Sequence, residues 1–147
     1  MPDPEAVAEV ARGWLRRAKS DLVTARRALA GRDLVDPWVA SFHAQQATEK
    51  CLKAALIMEQ IRFPRTHELE LLRSLLPAGW DLPDPETLAG ISRFAVAGRY
   101  PEGMLDAGAE PTWSEPRMLF DWPSQWRRLS RALRGPAASV SPDDCFS

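Results

Sequence analysis

Lysine, histidine, tyrosine and cysteine are all scarce in this chain: three, two, one and two copies among 147 residues. Cys51 sits in an alanine-rich stretch and Cys145 in a polar one, which argues against a disulfide framework and for a reducing compartment, so a cytoplasmic location is expected. Two histidines 24 positions apart and two distant cysteines match no metal-ligand spacing. No window approaches the roughly 18 uninterrupted apolar residues of a membrane span, so no membrane partner is expected. The start, Met1-Pro2-Asp3-Pro4-Glu5, has neither the basic nor the apolar run of a secretory leader. A Gly-rich phosphate loop and a Gly-x-Ser-x-Gly nucleophile turn are both missing, so no standard cofactor is implied. A net charge of −1 excludes a polyanion binder that works by overall charge, and any phosphate site must be local. The 16 arginines against three lysines are explained as readily by genome composition as by ligand chemistry.

What is present is helical punctuation. Asp3 and Pro4 read as a cap and first position, and Val7, Val10, Trp14, Ala18, Leu22, Ala25 and Leu29 then recur at steps of three and four. This first helix runs to about Ala30, with Gly31 placed for a left-handed stop. Asp36-Pro37 repeats the opening signal, and no Gly or Pro interrupts the chain from Trp38 through Phe63. The spacing predicts a helix from Pro37 to about Ile61, roughly 36 Å long. Thr66 reads as the cap of a third helix that buries Leu69, Leu72, Leu75 and Leu76 and ends at Pro77-Ala78-Gly79. Asp84-Pro85 opens a fourth, with Leu88, Ile91, Phe94 and Ala95 spaced for burial, ending near Gly98.

A Gly- and Pro-rich loop is expected over 101–116, with Trp113 packing back, then a last helix from Pro116 or Asp121 to Arg134 and a disordered tail over 135–147. With no strand-like alternation and no internal repeat, the expected fold is all-α. It is an up-and-down bundle of four main helices plus a short extra one, forming a single domain over residues 1–134.

The second helix carries two distinct sides. Ala40, Ala44, Ala47, Cys51, Ala54, Ala55 and Met58 form a small-residue face that lets neighbouring helices approach closely. His43, Gln46, Lys50 and Lys53 follow at steps of three, four and three, one polar line along the helix, bordered by a Glu49 able to pair with Lys53. One reading is the solvated side of an amphipathic helix. Against it, Leu52 and Leu56 make a further flank apolar, so the helix is central. A central helix directs such a line at a groove or a subunit interface.

Three segments together resemble the HEPN family, the higher eukaryotes and prokaryotes nucleotide-binding domain. They are Phe42-His43-Ala44-Gln45-Gln46-Ala47-Thr48-Glu49-Lys50-Cys51-Leu52-Lys53-Ala54, Pro64-Arg65-Thr66-His67-Glu68-Leu69 and Arg99-Tyr100-Pro101, in an order and spacing that cover about residues 10–134. The resemblance implies a helical bundle, usually a homodimer, that acts beside a minimal nucleotidyltransferase, often as a toxin-antitoxin pair. Other members are metal-independent RNases, in which an arginine holds the scissile phosphate and a histidine, separated from it by four to six residues, moves protons.

Both histidines of this chain precede Arg99, so no such pair lies late in the bundle. Arg62 and His67 meet the spacing only across Pro64. The leading expectation is therefore binding of nucleotide or RNA phosphates through His43, Gln46, Lys50, Lys53, Arg65, His67, Arg99 and Tyr100. An endoribonuclease using His67 with Arg62 or Arg99, and a structural dimeric interaction module, are the alternatives. His67 also reads as a helix-start residue bonded to its loop, and Arg99 and Tyr100 as helix-end packing.

Overall fold

A computed structural model describes residues 1–80 and 82–97, and all of the regular structure among them is helical. Three long helices and one short one are present: α1 (Pro4–Ala30), α2 (Pro37–Met58), α3 (Leu69–Ser74) and α4 (Pro85–Ala97). The side chains of Phe94 and Ala95, the expected loop over 101–116 with Trp113, the last helix to Arg134 and the tail over 135–147 lie outside the described residues. No helix among the described residues is long and apolar enough to cross a membrane.

Helix α1 begins as its sequence dictates. The Asp3 carboxylate accepts the Glu5 amide at 3.1 Å, and Pro4 supplies a first position that needs no amide partner. Its end differs from expectation. Gly31 adopts φ −99°, not a left-handed conformation, and still donates its amide to Arg27 O at 2.9 Å. The chain leaves instead through a turn closed by Leu34 N to Gly31 O at 2.8 Å. Asp36 is extended ahead of Pro37, at the expected cap position of α2, but its carboxylate makes no capping bond.

Helix α2 is shorter than the unbroken run implied, because Gln60 takes φ +56°. Around it Gln60 N donates to Ile57 O and Ile61 N to Leu56 O, both at 2.9 Å, and Ile61 packs into the cluster that holds Leu56. This is a Schellman stop with glutamine where glycine is usual, so no sequence signal announced it. Because a left-handed non-glycine residue is strained by roughly 1–2 kcal/mol, Gln60→Gly is expected to raise the urea-unfolding free energy by about 1 kcal/mol with an unchanged m-value.

Helix α3 is also shortened. The Thr66 hydroxyl accepts the Glu68 amide only two residues on, at 3.0 Å, which makes a local turn and no helix cap. The helix itself starts at Leu69 and burial is concentrated on Leu69 and Leu72, both fully enclosed, while Leu75 and Leu76 are half-buried. Asp84 does cap α4, accepting the Thr87 amide at 2.9 Å and its hydroxyl at 2.7 Å. The Thr87 backbone bond, then its hydroxyl, hold the Asp84 carboxyl below its ordinary value.

Two apolar clusters position everything else. Ala11, Leu15 and Ala18 of α1 meet Cys51, Ala54 and Ala55 of α2, and further along Ala25 of α1 meets Ala44. The early part of α1 thus lies against the late part of α2, an antiparallel pair whose alanines allow close approach. The second cluster wraps Leu52 and Leu56 with Leu69 and Leu72 of α3 and Leu88 and Ile91 of α4. Each such leucine contributes roughly 1.5–3 kcal/mol of burial. Helix α2 therefore touches all three other helices and is the central element that its several apolar flanks required.

Candidate functional site

The polar line of α2 is not turned to open solvent. Asp21, half-buried on α1, receives His43 Nδ1 on one carboxylate oxygen at 2.9 Å and Lys50 Nζ on the other in a short contact. One turn further, Lys53 is buried and donates to Glu49 Oε1 at 2.7 Å, with its ammonium 5.3 Å from the Trp14 ring centre on α1. Gln46 donates to the Gln45 side-chain oxygen at 2.7 Å. The four residues of the line thus end on α1 or on α2's own neighbours.

Glu49 is the hub. Its side chain is 4% exposed, yet it accepts from Lys53, from Gln45 Nε2 at 3.3 Å and from His67 Nδ1 at 3.0 and 3.2 Å. Burial pushes the Glu49 carboxyl up, but the hydrogen bonds from Lys53 and His67 and their charges outweigh it, holding it below its ordinary value of 4.5. Gln45 also reaches the His67 backbone oxygen at 3.4 Å, so backbone and ring of His67 are both tied to α2.

His67 joins this interior to the surface. Nδ1 must carry the proton it gives to a carboxylate, which orients the ring with Nε2 on the side away from Glu49. The His67 side chain is 82% exposed. It lies in the connection between α2 and α3, which also carries Arg62 and Arg65, both exposed and neither in an ion pair with another described residue. One short segment therefore presents two guanidinium groups and an anchored imidazole. Pro64 and the Gln60 stop keep the Arg62 to His67 spacing off any helix.

Among the described residues no group of three or more His, Cys, Asp or Glu could hold a metal ion. Burial pushes the Cys51 thiol well above 9.0, so it is a packing residue. Arg99 and Tyr100 lie outside the described residues.

Two of the three segments singled out in the sequence are thus joined at His67 of the second, which Glu49 and Gln45 of the first both hold. The HEPN domain family model matches residues 11–109, over half of the chain. The chain belongs to the HEPN domain family. That places it in a family whose functions concern nucleotides and RNA. No curated protein and no solved structure matches it. The HEPN match ends before the expected last helix, short of the 10–134 span that the resemblance suggested.

Sequence reasoning missed Asp21, Gln45 and Trp14 as partners and ranked Glu49 as a bystander to Lys53. A signal was available for Asp21: two cationic positions seven residues apart on α2 need a carboxylate on the neighbouring helix, and Asp21 is the one acid in the middle of α1.

Proposed function

We propose that this HEPN-domain protein binds the phosphates of a nucleotide or RNA at the segment between α2 and α3. Arg65 and His67 are the principal contacts and Arg62 is beside them. The observation that carries this reading is the exposed His67 ring fixed on buried Glu49, next to two exposed arginines without ion-pair partners among the described residues. Pre-fixing the imidazole lowers the ordering cost of binding, and guanidinium forks match phosphate oxygens. His43, Gln46 and Lys50, half-buried on α2, extend the contact set where a ligand phosphate displaces Asp21. Lys53 acts from behind through Glu49, and Arg99 and Tyr100 complete the set. The protein works in the cytoplasm as a homodimer beside a minimal nucleotidyltransferase, in a toxin-antitoxin-like pair.

Calorimetric titration with ATP tests the site. Arg65→Ala and His67→Ala are each expected to weaken binding about tenfold, the loss of one charge-assisted hydrogen bond of roughly 1.5 kcal/mol. Absence of heat with both the free protein and its complex with the nucleotidyltransferase refutes direct binding.

A second reading, metal-independent RNA cleavage, is favoured by one observation, the Glu49–His67 pair with its outward Nε2. His67 Nε2 takes the ribose 2′-hydroxyl proton, the 2′-oxygen bonds to the adjacent phosphorus, and the bond to the departing 5′-oxygen breaks. That oxygen then receives the proton back from the ring. Arg62 or Arg99 stabilises the five-coordinate phosphorus. The same His67→Ala variant decides it, since cleavage in EDTA that survives the substitution excludes this role.

A further inference from the structure

The net charge of −1 conceals a segregation. Residues 10–32, most of α1 and the turn after it, hold seven basic residues and one acidic residue, Asp21. This segment therefore carries +6 and the remainder of the chain −7. Asp21 is directed at α2, where His43 and Lys50 occupy both of its oxygens. Its charge does not offset the outer surface of α1.

On that outer surface Arg16, Ser20, Thr24 and Arg27 fall in line at steps of four, four and three, with Arg17 beside them, and all five are exposed. The positions that pack on α2, Ala11, Leu15, Ala18 and Ala25, lie on the other side of the helix. Arg16 has Glu9 at 3.6 Å, while Arg17, Arg27 and exposed Arg32 have no ion pair with a described residue. The Ser20 and Thr24 hydroxyls donate back to the carbonyls of Arg16 and Ser20, at 3.2 and 2.9 Å. Beyond exposed Glu5 and Glu9 at its start, which pair with Arg12 and Arg16, what the face offers outward is guanidinium.

A face that serves only solubility interleaves both signs, because like charges three and four residues apart oppose the helix. Concentrating one sign is offset when a polyanion lies along it. We propose that the outer face of α1 is a track for the phosphodiester backbone of a nucleic-acid strand, held through its phosphates without reading base sequence. From Arg16 to Arg27 the track is about 16 Å long at 1.5 Å per residue. That is the length of about five phosphates at roughly 3.4 Å per nucleotide. Guanidinium forks donate to phosphate oxygens in pairs, and charge complementarity selects this occupant. The track goes beyond the nucleotide site proposed above and does not depend on it.

The test measures fluorescence anisotropy of a labelled single strand of about 20 nucleotides, as RNA and as the matching DNA, across a salt series with the full chain. Changing Arg16, Arg17 and Arg27 together to Gln, a good helix former, is expected to weaken both strands at least tenfold at low salt. It should also reduce the slope of log affinity against log salt by about 2, at roughly 0.7 per phosphate contact. The corresponding Lys variant retains the slope, circular dichroism shows unchanged helicity, and ATP binding is unaffected. Wild-type affinity and slope in the Gln variant overturn the proposal. So does a wild-type protein that binds neither strand, or competition by polyglutamate as effective as by unlabelled RNA. If the track variants behave as stated but no variant or wild-type protein binds ATP, the α2–α3 site fails and the track stands.

Discussion

Glu49→Leu is expected to destabilise the protein by about 3–5 kcal/mol, because it leaves the Lys53 ammonium buried without a counter-charge. Lys53 has nowhere to go: it is enclosed between Glu49 and the Trp14 ring, and only the ring's weak attraction remains. The double variant Glu49→Leu with Lys53→Met should recover most of the loss, since apolar groups of similar volume need no pairing in the interior. Equilibrium urea unfolding of the two single variants and the double one measures the coupling directly, and additive losses would exclude the pair as the cause.

The same carboxylate sets a pH dependence. Its folded-state value is held below 4.5, so on acidification the unfolded chain takes up the proton first. The stability it contributes is fully present above its unfolded value and is lost as pH falls through the lower folded one. Wild-type unfolding midpoints should therefore drop as the buffer is taken below about 4.5, more steeply than those of the Glu49→Leu, Lys53→Met protein.

Leu52→Ala is expected to cost about 3 kcal/mol, within the range of roughly 2–5 for emptying a fully enclosed leucine site. Leu52 is completely buried and belongs to the cluster in which α1, α3 and α4 all reach α2, so the surrounding helices cannot collapse onto the cavity together. Val10→Ala, at a side chain 54% exposed on α1, should by comparison change the unfolding midpoint little. The loss at Leu52 also bears on the site. Leu69, two residues after His67, packs in that same cluster, so loosening it frees the segment that carries Arg62, Arg65 and His67.

The helices were legible where a residue makes its own signal. Asp3-Pro4 and Asp84-Pro85 specify starts chemically, and the alanines of α2 declare a close-packed face by their size. What could not be read was set by tertiary context. Gln60 ends α2 because Ile61 gains burial beside Leu56, which no local preference of glutamine encodes. Thr66 has the right hydroxyl for a helix cap and spends it two residues on. At the site, the cationic line and the exposed Arg62, Arg65 and His67 were visible as residues. Glu49 as the group that joins Lys53 to His67 was not, because pairing across 18 positions depends on how the chain returns to α2.

Asp21 has one more consequence. The faces by which α1 and α2 meet are mostly alanine, and such smooth surfaces could slide by a whole turn and still exclude water. A single carboxylate that grips two groups seven residues apart on the opposite helix cannot slide with them. It acts as a ruler, giving the two helices one setting out of several nearly equivalent ones, and stores in one side chain the alignment that the alanines leave undefined.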